Sequence, residues 1–349
     1  MKILVTGGCG FIGSNFVLRQ LEIHQNQVLN LDKLTYAGNI DNLSSIKNHK
    51  NYQFFQGDIC DLKLVESLIG DFKPDVLVHF AAETHVDRSL DNPEKFILTN
   101  VLGTSNLLNA SLKHLMHNES FLFVHISTDE VFGSLSKDGF FNENTPYSPK
   151  SPYSASKASS DHLVRSWKNS YNLPVIITNC SNNYGPFQFP EKLIPLIITN
   201  CIDERILPVY GTGENIRDWL YVDDHCDAIN KVITKGVVGE TYLIGGNNEI
   251  KNIEIVKKIC SILDNLRPRQ NGESYKSLIK LVEDRPGHDF RYAIDCQKIH
   301  TELDWEPKES FLNGLEKTIL WYLDNEEWWR KIQKKNHKQE RLGLKRFKS

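Results

Sequence analysis

Two acids stand where an apolar run ends. FLFVHIS (121–127) is followed at once by Thr128, Asp129 and Glu130. Adjacent carboxylates repel each other and cost desolvation when buried, so a chain that keeps them there needs a reason. Two carboxyl groups in different protonation states can serve as acid and base at neighbouring atoms. Successive strand positions point to opposite faces, so Asp129 and Glu130 converge only if a turn or helix start follows the strand. Farther on, YSASK sets Tyr153 and Lys157 four residues apart, on one face of a helix. An ammonium beside a phenol favours the phenolate and lowers its pKa from about 10. A positively charged nicotinamide would lower it further. Tyr153 is then a base for an alcohol proton.

A second constellation opens the chain. TGGCGFIG runs from Thr6 to Gly13; Gly8, Gly10 and Gly13 satisfy GxGxxG, and Gly7, Gly10 and Gly13 the GxxGxxG variant. Between a strand and a helix, such glycines let backbone N–H groups approach a pyrophosphate at the positive end of the helix dipole. Asp32 follows 19 residues after Gly13, at the end of VLNLD. A carboxylate there accepts hydrogen bonds from an adenosine ribose and repels a 2′-phosphate, which favours NAD over NADP. GDI (57–59) and FAAETH (80–85) end the next two apolar runs. Asp58 and Ile59 are expected to flank the adenine, and Ala81 and Ala82 to leave room for the dinucleotide. Arg217, in IRDW, can match a diphosphate bidentately, with Lys192 and His288 as weaker phosphate candidates. His79 and His85 have no partner at ligand spacing, so no metal site is expected.

These groups need rigid elements behind them. KILVTG (2–7), VLNLD (28–32), YQFFQGD (52–58), VLVHFAA (76–82), FLFVHIS (121–127) and PVIITNC (174–180) read as strands buried on both faces. NFVLRQLEIHQ and NVLGTSNLLNASLKHLM are helical between them. The alternation predicts an α/β fold, a Rossmann-type doubly wound parallel sheet with a smaller C-terminal substrate-binding lobe. Residues 1–185 are expected to form the NAD-binding domain, to which later segments return. Residues 186–325 form mainly the discontinuous substrate-binding lobe, and 326–349 a basic, solvated C-terminal tail.

Composition sets the outer bounds. The 349 residues are 40% hydrophobic and 24% charged with net charge −3, which excludes a disordered chain and gives no global attraction to nucleic acid or anionic membrane. Seven scattered cysteines form no CxxC pair, so they read as free thiols in a reducing compartment. MKILVTGG lacks the pattern of a signal peptide, and no apolar run approaches the ~18 residues of a membrane span. The expected compartment is the cytoplasm.

TGGCGFIG, Asp32, STDEVFG, SPYSASK and NCSNNYGP together resemble the extended short-chain dehydrogenase/reductase family. LDKLTYAGN (31–39), HVDRS (85–89), NCSNNYGPFQFPEKLIP (179–195), IRDWLYVDDH (216–225) and DRPGHDFRYAID (284–295) bring the chain, to about residue 325, closest to the nucleoside-diphosphate-hexose 4,6-dehydratases.

The resemblance implies oxidation of the sugar at C4 with hydride passing to NAD. Water is then lost across C5 and C6, and hydride returns to C6. Tyr153 takes the C4 hydroxyl proton with Lys157 beside it. Thr128 hydrogen-bonds the C4 oxygen, Glu130 takes the C5 proton and Asp129 protonates the departing C6 hydroxyl. It also implies NAD contacts from Phe11, Ile12, Lys33, Leu34, Thr35, Phe80, Thr99 and Asn183, beside the residues named above. It places Thr84, Asn182, Lys192, Leu193, Arg217, Asn252, Asp284, Arg285, Pro286, Gly287 and His288 in the nucleotide-sugar pocket. dTDP-glucose is the implied substrate, a 4-keto-6-deoxy sugar for rhamnose-type deoxysugar biosynthesis the product, and a homodimer joined by a four-helix bundle the implied assembly. A 4-epimerase, or a 4,6-dehydratase of another nucleotide-hexose, is the rival. The chain departs from the common pattern at Phe132 (usually Tyr), at Thr84 (often Ser) and in a short 135–148 segment.

Overall fold

Apolar runs rich in Val, Ile and Leu are stable as strands when both faces are covered. The computed structural model describes residues 1–284 and 288–336. Its strands are β1 (Lys2–Thr6), β2 (Gln27–Asp32), β3 (Tyr52–Gln56), β4 (Val76–His79), β5 (Leu122–Thr128) and β6 (Val175–Cys180). β7 (Asn182–Tyr184), β8 (Leu207–Tyr210), β9 (Ile216–Tyr221), β10 (Thr241–Ile244), β11 (Glu249–Lys251) and β12 (Ile279–Val282) follow. The helices in the first half are α1 (Phe11–Glu22), α2 (Leu62–Phe72), α3 (Val86–Asp91), α4 (Pro93–Phe96), α5 (Thr104–Leu115) and α6 (Pro152–Tyr171). Those in the second half are α7 (Leu193–Ile202), α8 (Val222–Lys235), α9 (Asn252–Leu266), α10 (Gln297–Leu303), α11 (Phe311–Asp324) and α12 (Glu326–Asn336).

Seven strands form one sheet in the order β3-β2-β1-β4-β5-β6-β10, and every pair in it is parallel. This is the doubly wound Rossmann order, with its switch point between β1 and β4. Period-two alternation divides the side chains between two cores. Ile3, Val5, Val78 and Val124 enter one, and Leu4, Leu29, Leu77 and Phe123 the other.

β10 comes late in the chain yet pairs with β6, Thr241 opposite Ile177. α8 returns with it, and Arg19 of α1 pairs with Asp223 and Asp227 of α8. A third apolar cluster gathers Tyr184, Ile197, Trp219, Ile255, Leu315 and Trp329 around the small sheets β11-β9-β7 and β12-β8.

One sequence expectation changes here. Residues 326–336 are a helix, not part of a loose tail, because Trp329 and Ile332 are buried at 0% and 5% exposure. Residues 337–349 lie outside the described residues. Phe132 is buried between Phe141, stacked at 5.1 Å, and the edge of Tyr147, an apolar seat that asks for no hydroxyl.

Candidate active site

The carboxyl ends of β1, β2, β4, β5 and β6 open on one cleft, where ligands of open parallel sheets bind. Gly7 turns the chain at φ +74°, and a Cβ there would stand 2.6 Å from the Ala81 nitrogen. Gly13 seats α1 against the turn, since its Cβ would meet the Gly7 carbonyl at 2.4 Å. Gly10 is tight only toward the Gly7 carbonyl, at 3.3 Å, which leaves its other side open. Asp32 closes β2; its Oδ2 accepts from the Cys9 N–H and its Oδ1 from the Leu34 N–H, both at 2.8 Å. Lys33 and Asp58 pair at 2.6 Å beside it. A glycine cradle at a helix N-terminus with a buried carboxylate one strand away is the donor and acceptor set that fits a dinucleotide.

The cleft wall holds most of the residues the sequence assigns to a cofactor: Gly7, Gly10, Phe11, Ile12, Gly13, Asp32, Lys33, Thr35, Asp58, Ile59, Phe80, Ala81, Ala82, Thr99 and Asn183. Thr84, Thr128, Glu130, Tyr153, Lys157, Asn182 and Lys192 line its other end. The wall does not include Leu34, Asp129, Leu193, Arg217, Asn252, Asp284 or His288. Arg285, Pro286 and Gly287 lie outside the described residues.

The turn required after the first acidic pair is present. β5 runs into a 3₁₀ turn, Asp129–Phe132, with Thr128 as its N-cap. The Glu130 N–H donates to Thr128 Oγ1 at 3.3 Å, and Gly133 ends the turn at φ +87°. The acids then part. Glu130 reaches the cleft wall, whereas Asp129 is 2% exposed. The Thr128 hydroxyl donates to Asp129 Oδ1 at 3.3 Å. Burial, then the Glu130 and Asp218 charges, push the Asp129 carboxyl well above its ordinary range, against the opposing pull of Arg217. The pair is therefore split into a buried carboxyl whose pKa is pushed up and a second carboxyl facing the cleft.

α6 begins with a capping box. Ser151 Oγ accepts from the Ser154 N–H, Ser154 Oγ accepts from the Ser151 N–H, both at 3.0 Å, and Pro152 opens the first turn. Tyr153 and Lys157 share the inward face, 7% and 3% exposed. Lys157 Nζ donates to the Ile126 carbonyl at 2.9 Å.

The expected lowering of the Tyr153 phenol is reversed within the protein alone. Burial first, then the negative charge of Glu130, push it well up, while the Thr128 hydroxyl works the other way. Burial likewise pushes Lys157 down to about 8.

Arg217 is the other departure. It is 5% exposed. Its guanidinium stacks on Tyr292 at 4.3 Å and donates to the carbonyls of Ile216 and Asp289 at 2.8 and 2.9 Å. Lys192 Nζ reaches the Thr84 carbonyl at 3.5 Å, and His288 Nδ1 lies 2.7 Å from Asp284 Oδ1.

Sequence reasoning missed wall residues that sit inside motifs it quoted. Tyr36 of LDKLTYAGN lies under the Arg88 guanidinium at 3.9 Å, and Arg88 donates to Glu191 of FPEKLIP at 2.9 and 3.2 Å. The signal was an aromatic, a cation and an acid in three separate motifs, and it carries no spacing that joins them. Among the described residues no group of three or more His, Cys, Asp or Glu side chains is placed to hold a metal ion. No described helix is long and apolar enough to cross a membrane.

Comparison with known proteins adds an independent finding. Residues 4–318 match the family model described as GDP-mannose 4,6 dehydratase. A dTDP-glucose 4,6-dehydratase of Escherichia coli is 54% identical, covering 99% of each chain. The dTDP-glucose 4,6-dehydratase from Bacillus anthracis, solved in complex with NAD, is 48% identical with a TM-score of 0.84, covering 95% of this chain and 99% of that one. A double mutant of the Streptomyces venezuelae enzyme of the same name, with NAD bound, is 43% identical with a TM-score of 0.88, over 95% of this chain and 100% of that one.

Proposed function

The chain belongs to the GDP-mannose 4,6 dehydratase family, and on that premise we propose that it converts dTDP-glucose to dTDP-4-keto-6-deoxyglucose with NAD. The Gly7–Gly13 turn, Asp32 and the Lys33–Asp58 pair hold the cofactor. The chemistry that NAD supplies when bound is reversible oxidation of the sugar at C4. The chain's own residues do the rest.

Tyr153 takes the C4 hydroxyl proton. Burial and Glu130 raise its phenol, so it acts as a base only beside a cation, and Lys157, one helical turn on, is the cation the chain supplies. Thr128 fixes the C4 oxygen. Once C4 is a ketone the C5 hydrogen is acidic, and Glu130, on the cleft wall, removes it. Asp129, whose carboxyl burial and its acidic neighbours push toward the protonated form, gives its proton to the departing C6 oxygen. Asn182, Lys192, Asp284 and His288 hold the nucleotide end, and Arg217 donates to the Asp289 and Phe290 carbonyls next to His288.

One observation carries the reading: adjacent acids at a strand end, one buried and one facing the cleft. A 4-epimerase of the same fold needs neither. The test is incubation with NAD and dTDP-, UDP-, CDP- or GDP-glucose, scoring the 4-keto product by its absorbance in alkali. Rapid turnover of dTDP-glucose is expected. Epimer without a 4-keto product would overturn the reading.

The same reading divides the labour between the sheet, which holds the cofactor, and the C-terminal lobe, which holds the nucleotide-sugar. It makes the enzyme a cytoplasmic homodimer in deoxysugar biosynthesis. Ile97, Leu98 and Leu102, beside α5, are 56%, 53% and 46% exposed, an apolar face suited to a four-helix contact of α5 and α6 with a second copy. All seven cysteines are free thiols, as a reducing compartment keeps them.

A further inference from the structure

Behind Lys157 lies a set of buried charges that the proposed chemistry does not use. Tyr153, Lys157 and Asp161 follow one another at steps of four along α6 and so share a face. Asp161 is 0% exposed, as is His125 of β5. Lys157 Nζ lies 3.4 Å from His125 Nε2, and that nitrogen lies 3.1 Å from Asp161 Oδ1. The other carboxylate oxygen accepts from the Tyr147 hydroxyl at 2.8 Å and from Asn179 Nδ2 at 3.1 Å. Arg165 closes the row, donating to the Tyr147 oxygen at 2.8 Å.

We propose that Asp161 is the buried counter-ion that keeps Lys157 charged, and so is a positioning residue for the Tyr153–Lys157 pair. This rests on the reading of that pair given above.

A carboxylate wholly out of water is costly unless a cation and hydrogen bonds answer it. The groups facing it come from four directions. Lys157 and Arg165 belong to its own helix, His125 to β5, Tyr147 to the 135–148 segment and Asn179 to β6. His79 of β4 stands behind His125, ring centres 5.3 Å apart, and Cys180 of β6 acts on Lys157. Burial drives both imidazoles toward the neutral form, His125 to about 4 and His79 well below its usual value. Neither supplies positive charge near neutral pH. Lys157 therefore does, with Arg165 at the outer end. Burial alone would raise Asp161, but His125, 3.1 Å from Oδ1, and then the charge of Lys157 outweigh it and hold it low. Reciprocally, Asp161 works against the burial that pushes Lys157 down to about 8.

The test follows the Lys157 ammonium directly. The full chain is labelled at lysine Cε with carbon-13 and its resonances are followed against pH, Lys157 being assigned by the signal lost in Lys157→Arg. A midpoint near 8 is expected for the unaltered protein. Asp161→Asn keeps an acceptor for Tyr147 and Asn179 but removes the charge. Its Lys157 midpoint should fall by about one unit or more, the effect of losing an opposite charge nearby. An unmoved midpoint overturns the proposal. Tyr147→Phe covers the case in which Asp161→Asn does not fold, because it strips one donor from the carboxylate and leaves its charge. Its midpoint should stay in place, and a fall of a unit would mean that packing, not charge, sets Lys157. The titration reads the same whichever sugar the enzyme accepts, so failure of the substrate assignment leaves it intact.

Discussion

At the scale of single residues, the site separates groups that look alike in the sequence. Asp129 and Glu130 are chemically near-identical neighbours, yet one turn of 3₁₀ helix buries the first and sends the second to the cleft. The buried one has a measurable consequence. The folded pKa of Asp129 lies above its unfolded value near 4. The neutral carboxyl is thus stabilising below about pH 4, and that contribution is lost as pH rises toward the folded value. Asparagine has the same shape and no proton to lose. Asp129→Asn should melt higher than the parent at neutral pH by a few degrees, and the gain should shrink toward about pH 4. Turnover should fall by roughly 100-fold or more, the scale of a lost general acid. Thermal melts across that range and steady-state rates check both halves. A variant that is less stable at neutral pH would mean that the fold does not raise the Asp129 pKa.

At the scale of elements, most of what positions the site was legible in the sequence. The six apolar runs are the strands β1 to β6, and the glycine turn sits where a strand meets a helix. What was not legible is long-range. β10 is a short strand like β8 or β12, and only its pairing with β6 brings it into the large sheet. EEWWRKIQKKN reads as a charged tail because, among its described side chains, burial rests on two residues, Trp329 and Ile332. The charge on Arg217 suggests phosphate, but composition cannot reveal that the nearby Ile216, Asp289 and Phe290 carbonyls take three of its bonds. The capping box of α6 lies between these cases, since SPYS announces a helix start but not how tightly it is held. Ser151 and Ser154 bind each other's backbone N–H directly beside Tyr153. Ser151→Ala should cost about 1 kcal/mol and lower Tm by about 2 °C. The helix start sets where Tyr153 points, so kcat should fall by more than KM rises. A melt unchanged within error would show that the cap does not hold the helix.

At the scale of the whole molecule, the far end of the described chain reaches back to its beginning. Trp328 of α12 donates from Nε1 to Asn42 Oδ1 at 2.8 Å. Asn42 Nδ2 in turn donates to the Cys9 carbonyl, inside the glycine turn, at 3.1 Å. Two hydrogen bonds therefore tie α12 to the loop that holds the dinucleotide. The aromatic side of Trp328 packs on Trp321 and Phe187 at 5.0 and 6.1 Å, so helix and turn are held by packing as well as by the bonds. Trp328→Phe keeps much of that contact and deletes the donor, leaving Asn42 Oδ1 without its tryptophan partner. Losing one such bond costs about 1 kcal/mol, which is about five-fold in affinity if it falls on cofactor binding. NAD should bind about five-fold more weakly to Trp328→Phe by calorimetry. The Lys157 titration should be unmoved, because Asp161 and its partners lie on α6, β5, β6 and the 135–148 segment rather than at the glycine turn. Unchanged NAD affinity together with a lower melting temperature would mean that α12 only staples the fold. Weaker binding at an unchanged melting temperature would make the C-terminal helix part of the cofactor site.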